Sequence, residues 1–343
     1  MIIMKRIKAA VVGAGIYGSH HINAYLNNEK TELVGVCDLD PKILAKVEEE
    51  YSINTYTDLE ELIKKEKPDI ISIATPDPYH FGPAKTAIEN NIDVLVEKPL
   101  ATNRKECEEL IKLAELHNVK VGVDFHKRWD PAYLAIKEEI ENEKAKKIIR
   151  GYISLDDIID VPLKWFNWAH KSSPVWFLGI HCYDLIRFIT KSEVSEVYAV
   201  GSKELLNSKG ISTYDSMQAV LTMTDGSNWT VENSWILPNG FPKANDGQLI
   251  ILTENRYFKN ESYRGINYYT ETTQKIPNYL FMNYENGKAS GFGLEPINDF
   301  VDDIISGKKF KADGTDGLRA SEIAHAVHLS VEKGCKIKMN DIY

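Results

Sequence analysis

The sequence predicts an α/β protein: an N-terminal doubly wound parallel sheet, then an α+β domain with a large open, mostly antiparallel sheet. Three observations carry this. In Lys8–Gly18, KAAVVGAGIYG, a short apolar run ends in Gly13, Gly15 and Gly18 at the spacing G-x-G-x-x-G. Short apolar runs then alternate with helical stretches up to about residue 126, the pattern of repeated βα units. Past Phe125 the composition changes: all six tryptophans and 12 of the 17 tyrosines lie there, among consecutive strand-like runs. The chain is too long for one ordinary core, and the change places a boundary between domains 1–126 and 127–343.

Ala9–Val12 is the first buried strand, and the N-terminal MIIMKRIKAAVVGAG reads as the lead into it rather than as a signal peptide, its apolar patch being too short. Gly13 permits a tight turn, Gly15 lets a pyrophosphate approach the backbone, and Gly18 lets the next helix, Ile16–Leu26, pack closely. That helix aims its free N–H groups and positive dipole end at the phosphates, which puts Ile16 and Tyr17 against the ligand too. A second strand, Leu33–Cys37, ends in Asp38, 20 residues past Gly18, placed to accept hydrogen bonds from an adenosine ribose. Its charge repels a 2′-phosphate, so NAD is expected over NADP. The set is the dinucleotide-binding half of a Rossmann domain.

Helices follow at Pro41–Glu50, with proline in the first turn, and from Asp58 to about Lys65, with Glu61 completing a capping box. Asp69–Ala74 is a third strand closed by the turn Thr75–His80, TPDPYH. Then come a helix at Phe81–Asn90, a strand at Val94–Val96 closed by Glu97-Lys98-Pro99, a helix at Asn103–His117 and a strand at Lys120–Phe125. Ligands of such sheets bind at the carboxyl ends of the strands, where all these turns fall. In the second domain helices are expected over residues 131–143 and Val175–Thr190. Strands are expected at Val194–Gly201, Ser216–Thr224, Ser227–Trp235 and Gln248–Thr253, with Asp225-Gly226 as a hairpin turn. Tyr257–Gly293 has no clear period, and two helices, Ile297–Ile305 and Thr315–Glu332, end the chain.

Several residues are placed for chemistry. Pro99 holds Lys98 extended at the end of a strand, where its ammonium can donate to a substrate oxygen. His181, in FLGIHCYDLIRF, shares a helix face with Phe177, Leu185 and Phe188; it is either a core histidine or a general base taking a hydroxyl proton. Asp184 either orients that ring or caps or pairs with Arg187. Thr75, Pro76 and Glu97 join the cofactor set. His80 touches the nicotinamide or substrate, or simply starts a helix. His126 and Arg128 follow the last N-terminal strand; Arg128 binds a substrate oxygen or closes an interdomain salt bridge. Trp165 and the other tryptophans stack on a sugar face or fill the core.

A net charge of −9 with no basic block argues against nucleic acid, and no apolar run reaches the length of a membrane span. Cys37, Cys107, Cys182 and Cys335 are scattered without a metal-binding spacing, which fits reduced thiols in a cytoplasm and no metal site.

The chain resembles the Gfo/Idh/MocA family (glucose–fructose oxidoreductase and inositol dehydrogenase) over its full length. The resemblance rests on VVGAGIYG, ATPDPYHFGPAKTAIENNIDVLVEKPLA, GIHCYDLIRF and the terminal GLEPINDFVDDIISGKKFKADGTDGLRASEIAHAVHLSVEKG. It implies reversible NAD(P)-dependent oxidation of a secondary hydroxyl on a sugar, cyclitol or derivative. It also implies Lys98 orienting the substrate, His181 exchanging the proton, a cis Lys98–Pro99 bond, and a homodimer or homotetramer built on the C-terminal sheet. One departure stands out: many members acting on inositol-like substrates carry aspartate four residues before the histidine, where this chain has Phe177. Either Asp184 or Asp156 replaces that carboxylate, or the substrate face is more apolar, or the chain is a non-catalytic NAD-dependent sensor. A reductase of an unsaturated ring, like biliverdin reductase, is a further option.

Overall fold

The computed structural model describes residues 6–142, 145–263, 268–269, 272–276, 280–285 and 288–342. The start of the chain and residue 143, the expected end of a helix, lie outside them. The chain divides into two compact units, and both are discontinuous: 1–129 with 280–318, and 130–279 with 319–343.

The first unit alternates strand and helix. Its elements are β1 (Ile7–Val12), α1 (Ile16–Asn27), β2 (Thr31–Cys37), α2 (Pro41–Tyr51), β3 (Thr55–Tyr56), α3 (Leu59–Glu66), β4 (Ile70–Ile73), α4 (Phe81–Glu89), β5 (Asp93–Glu97), α5 (Arg104–His117) and β6 (Val121–Asp124). The six strands form one parallel sheet in the order β3-β2-β1-β4-β5-β6. Residues 9–12 of β1 and Ile70–Ile73 of β4, apolar except for Ser72, are buried, as a sheet covered on both faces requires. The expected cap is made, Asp58 accepting the Glu61 N–H at 2.7 Å; Asp40 and Asn103, not singled out in the sequence, cap α2 and α5 in the same way.

A single boundary at 126/127 does not describe this unit, because the chain returns to it near its end. The Val123 N–H bonds the Ala312 carbonyl at 2.8 Å, and Gly122 bridges Asp313. Gly122 leaves room for Phe300 and Phe310, whose rings meet edge to face. Such long-range packing has no local signature.

The second unit holds α6 (Pro131–Glu141), β7 (Ile148–Ile158), α7 (Ile180–Thr190), β8 (Val194–Ser202), β9 (Ser216–Met223), β10 (Asn228–Leu237), β11 (Asn245–Thr253) and β12 (Tyr257–Glu261). The sheet runs β12-β11-β7-β10-β9-β8 and ends on Ile337–Lys338. Every pair is antiparallel except β7 with β10. The central strand β7 escapes sequence reading, since its charged residues break the apolar alternation. The hairpin at Asp225-Gly226 forms as expected, with Gly226 at φ +86°. The expected helix over 175–190 is instead a wider π-type turn, Val175–Gly179, leading into α7. Gly179 lets this turn pack close to β10, where a Cβ would lie 2.6 Å from Asn233 Oδ1. Among the described residues no helix is long and apolar enough to cross a membrane.

Candidate functional site

In the first unit, β1, β2, β4 and β5 all deliver their following turns to one edge of the sheet. Gly13 sits at φ +89°, and a Cβ there would lie 2.6 Å from the Ala74 carbonyl oxygen. A Cβ on Gly18 would lie 1.9 Å from the Gly13 carbonyl oxygen, so this glycine seats α1 on the turn itself. Gly15 differs: a Cβ there would meet nothing within 4 Å. The open space is what close approach of a pyrophosphate needs. Helix α1 has no side-chain cap and no acid in its first turn, which leaves its N–H groups and dipole for an anion.

Asp38 is fixed at the end of β2. Its Oδ2 accepts the Ala14 N–H at 2.7 Å and its Oδ1 the Asp40 N–H at 2.9 Å. Each oxygen keeps a lone pair for a ribose hydroxyl. Glycine turn, uncapped helix and anchored acid together fit NAD.

Thr75 and Pro76 begin the turn after β4, whose middle, Asp77–Tyr79, is one 3₁₀ turn. His80 is 1% exposed, and its two ring nitrogens face the Pro99 and Thr75 carbonyl oxygens at 2.6 and 2.7 Å. It therefore ties the β4 turn to the Lys98–Pro99 turn rather than presenting its nitrogens to a ligand. The Lys98–Pro99 peptide is cis. The Lys98 ammonium lies 5.7 Å from the centre of the Tyr17 ring, in the first turn of α1. Glu97 points inward, towards His21, so its carboxylate is taken up by the protein.

His126 is packed against Phe281 and Phe292, and burial pushes its pKa down to about 3. Arg128 is buried, with its guanidinium bonded to Asp316 at 3.0 Å and to the Lys311 carbonyl. Its ion pair closes within the first unit and holds the returning segment.

In the second unit His181 opens α7 and is 5% exposed; Asp184, one turn on, is 1% exposed. Arg187 forms a two-pronged pair with Glu193 at 2.7 Å. Phe177 sits in an aromatic cluster, 4.8 Å from the Phe166 ring, 6.0 Å from Trp168 and 5.9 Å from Trp235. Trp165, 48% exposed, lines an open cavity of about 430 Å³ with Phe241, Pro242 and Ile276. Asp156 lies on β7 opposite Asp246 of β11, where burial and then the charges of Asp246 and Glu232 raise its pKa to about 7. Sequence reasoning missed the residues behind Lys98: His21, Ser72 and Asp124 form a buried polar cluster with Glu97. Polar residues inside otherwise apolar runs were the available signal.

Residues 7–125 match the model of an oxidoreductase family with an NAD-binding Rossmann fold, and residues 133–257 match the GFO/IDH/MocA C-terminal domain. Among curated relatives, myo-inositol 2-dehydrogenase of Thermotoga maritima is 23% identical over 98% of this chain and 99% of its own. D-apiose dehydrogenase of Paraburkholderia graminis is 23% identical over 99% of this chain and 91% of its own. Among solved structures, myo-inositol 2-dehydrogenase from Lactobacillus plantarum superposes with a TM-score of 0.84 at 24% identity, covering 97% of this chain and 99% of that one. With both domain models matched in order on the architecture described, the chain belongs to the Gfo/Idh/MocA oxidoreductases, and its first unit is an NAD-binding Rossmann domain.

Proposed function

We propose that this oxidoreductase oxidises, reversibly, a secondary hydroxyl of a sugar, cyclitol or derivative. The observation that carries this is Lys98, held at the same sheet edge as the glycine turn and against Tyr17 of the phosphate-facing helix. Bound NAD supplies the hydride acceptor. Lys98 donates a hydrogen bond to the reacting oxygen and orients it. His181 takes the hydroxyl proton and becomes a protonated imidazole, while NAD held at the glycine turn would accept the hydride. Asp38 favours NAD over NADP. Inositol and apiose dehydrogenases among the relatives support a polyhydroxylated substrate. Trp165 offers such a substrate an aromatic face. The open face of the C-terminal sheet is the contact of a homodimer or homotetramer.

A screen of sugars, sugar acids and inositols, read by NADH absorbance, tests the reading. Lys98→Ala lowers turnover by about 10²-fold or more while NAD binding persists. Full turnover in this variant, or equal loss of turnover and NAD affinity, contradicts the role of Lys98. A second reading, a non-catalytic NAD-dependent sensor, is favoured by Phe177, whose ring is built into an aromatic cluster with Phe166 and Trp235. Tight NAD binding with no turnover across the panel supports it.

A further inference from the structure

Beside Lys98 in the sequence and behind it in the fold lies a buried cluster of ionisable groups. Glu97 and Asp124 end β5 and β6 at the same register position, so two carboxyls stand side by side. Both face one imidazole from α1: His21 Nε2 is 3.2 Å from Glu97 Oε1 and 3.6 Å from Asp124 Oδ2. His21 Nδ1 is 2.9 Å from Ser72 Oγ, and the Tyr25 hydroxyl is 2.6 Å from the same oxygen. All five residues are at most 5% exposed. Glu97 Oε2 and Asp124 Oδ1 have no hydrogen-bond partner among the described residues.

The donors can be ordered. Burial raises the Tyr25 pKa, so its hydroxyl keeps a proton that it can donate to Ser72. Ser72 can then donate to His21 Nδ1, which leaves the Nε2–H for Glu97. One imidazole N–H thus serves two carboxyls in a buried site, and two adjacent carboxylates there repel each other strongly. Burial alone would raise Glu97, but the bond from His21 and then the charge of Lys98 hold it low. Asp124 is pushed well above the usual carboxylate range by burial and then by the charge of Glu97, against Lys98 and the His126 backbone N–H. The other groups facing the pair are the His126 ring, 4.0 Å from Asp124 Oδ1 and kept neutral by its burial, with Lys127 and His20 beyond it.

We infer that Asp124 holds a proton beside an ionised Glu97, and that the pair, oriented by His21, presents a single negative charge to the Lys98 ammonium. Glu97, Asp124 and His21 are then positioning residues for that lysine. One charge leaves the lysine's N–H groups available to a substrate oxygen. A second would draw its N–H groups inward, away from a substrate oxygen.

The role assigned to Lys98 rests on the proposed dehydrogenase reaction; the proton on Asp124 does not, and two measurements on the apo protein decide it. In mildly alkaline buffer, where exposed carboxyls are ionised, the infrared spectrum shows a protonated-carboxyl band. Asp124→Asn abolishes that band, and Glu97→Gln makes it titrate at lower pH. An identical band in Asp124→Asn overturns the inference. Because the folded pKa of Asp124 lies above its unfolded value, its contribution to stability is lost as pH rises towards the folded pKa. The melting temperature of Asp124→Asn therefore exceeds that of the wild type by a margin that widens with pH; a constant margin overturns the inference. So does one equivalent of zinc found by elemental analysis and lost on His21→Ala. Once the substrate screen gives a turnover assay, the kcat–pH profile of Asp124→Asn lacks the alkaline inflection of the wild type, at unchanged NAD affinity. A profile superimposable on the wild type's overturns the positioning role. Full turnover in Lys98→Ala instead faults the reaction it rests on.

Discussion

At the scale of single residues, the glycines of the first turn separate fold from function. Gly18 has no room for a side chain, since a Cβ would lie 1.9 Å from the Gly13 carbonyl oxygen. Gly15 has room in the protein and a negative φ of −71°. Gly18→Ala should therefore cost several kcal/mol, roughly the scale of forced overpacking in a core, read as a lowered denaturant midpoint. Gly15→Ala should leave stability level or raise it by about 0.5 kcal/mol through the unfolded chain. Its NAD affinity should nevertheless fall, by about tenfold or more, because the added methyl occupies the path of the pyrophosphate. Calorimetric titration with NAD beside denaturant unfolding separates the two; a Gly15→Ala variant with unchanged NAD affinity contradicts the cofactor placement.

At the scale of elements, the strands do more than carry turns. Pairing β7 with β11 sets Asp156 opposite Asp246, and β10 brings Glu232 close. Burial and these charges raise Asp156 to about 7, above its unfolded value near 3.9. A group raised on folding favours the fold below its unfolded pKa and loses that contribution as pH rises to the folded one. Asp156→Asn should match the wild type near pH 4 and gain steadily up to about pH 7, by of the order of 2 kcal/mol after allowance for solvent, then level off. Urea midpoints measured across that range check it. The π-type turn before α7 matters similarly. It shifts the helical phase between Phe177 and His181, so the shared face expected from a straight helix does not carry over unchanged.

At the scale of the whole molecule, the C-terminal sheet has a face that its own unit leaves open. Tyr198 and Val220 are cross-strand partners on β8 and β9, and with Val200 they are each about half exposed. If this face joins copies of the chain, Tyr198→Lys with Val220→Lys should convert the dimer or tetramer to monomer, with NAD binding intact. Light scattering during gel filtration reads the mass; an oligomer of unchanged mass would exclude this face.

Much was legible before any coordinates. The glycine spacing, Asp38 at its distance, the capping Asp58 and the Asp225-Gly226 hairpin are short-range signals, and each appears where the residues place it. They depend on backbone torsion, missing side chains and neighbouring donors, which local sequence encodes directly. His80 and Arg128 show the limit. Both look available to a ligand in sequence, yet both are spent inside the protein on partners up to 188 residues away. The return of residues 280–318 to the first unit, and the meeting of Glu97, Asp124 and His21, are likewise invisible along the chain. The sequence by itself determined the Rossmann half, its cofactor turn and the alternation of elements, because those follow from local periodicity. Only the tertiary structure decided which polar groups are consumed by folding and which are left for chemistry, because that depends on burial and on partners distant in sequence.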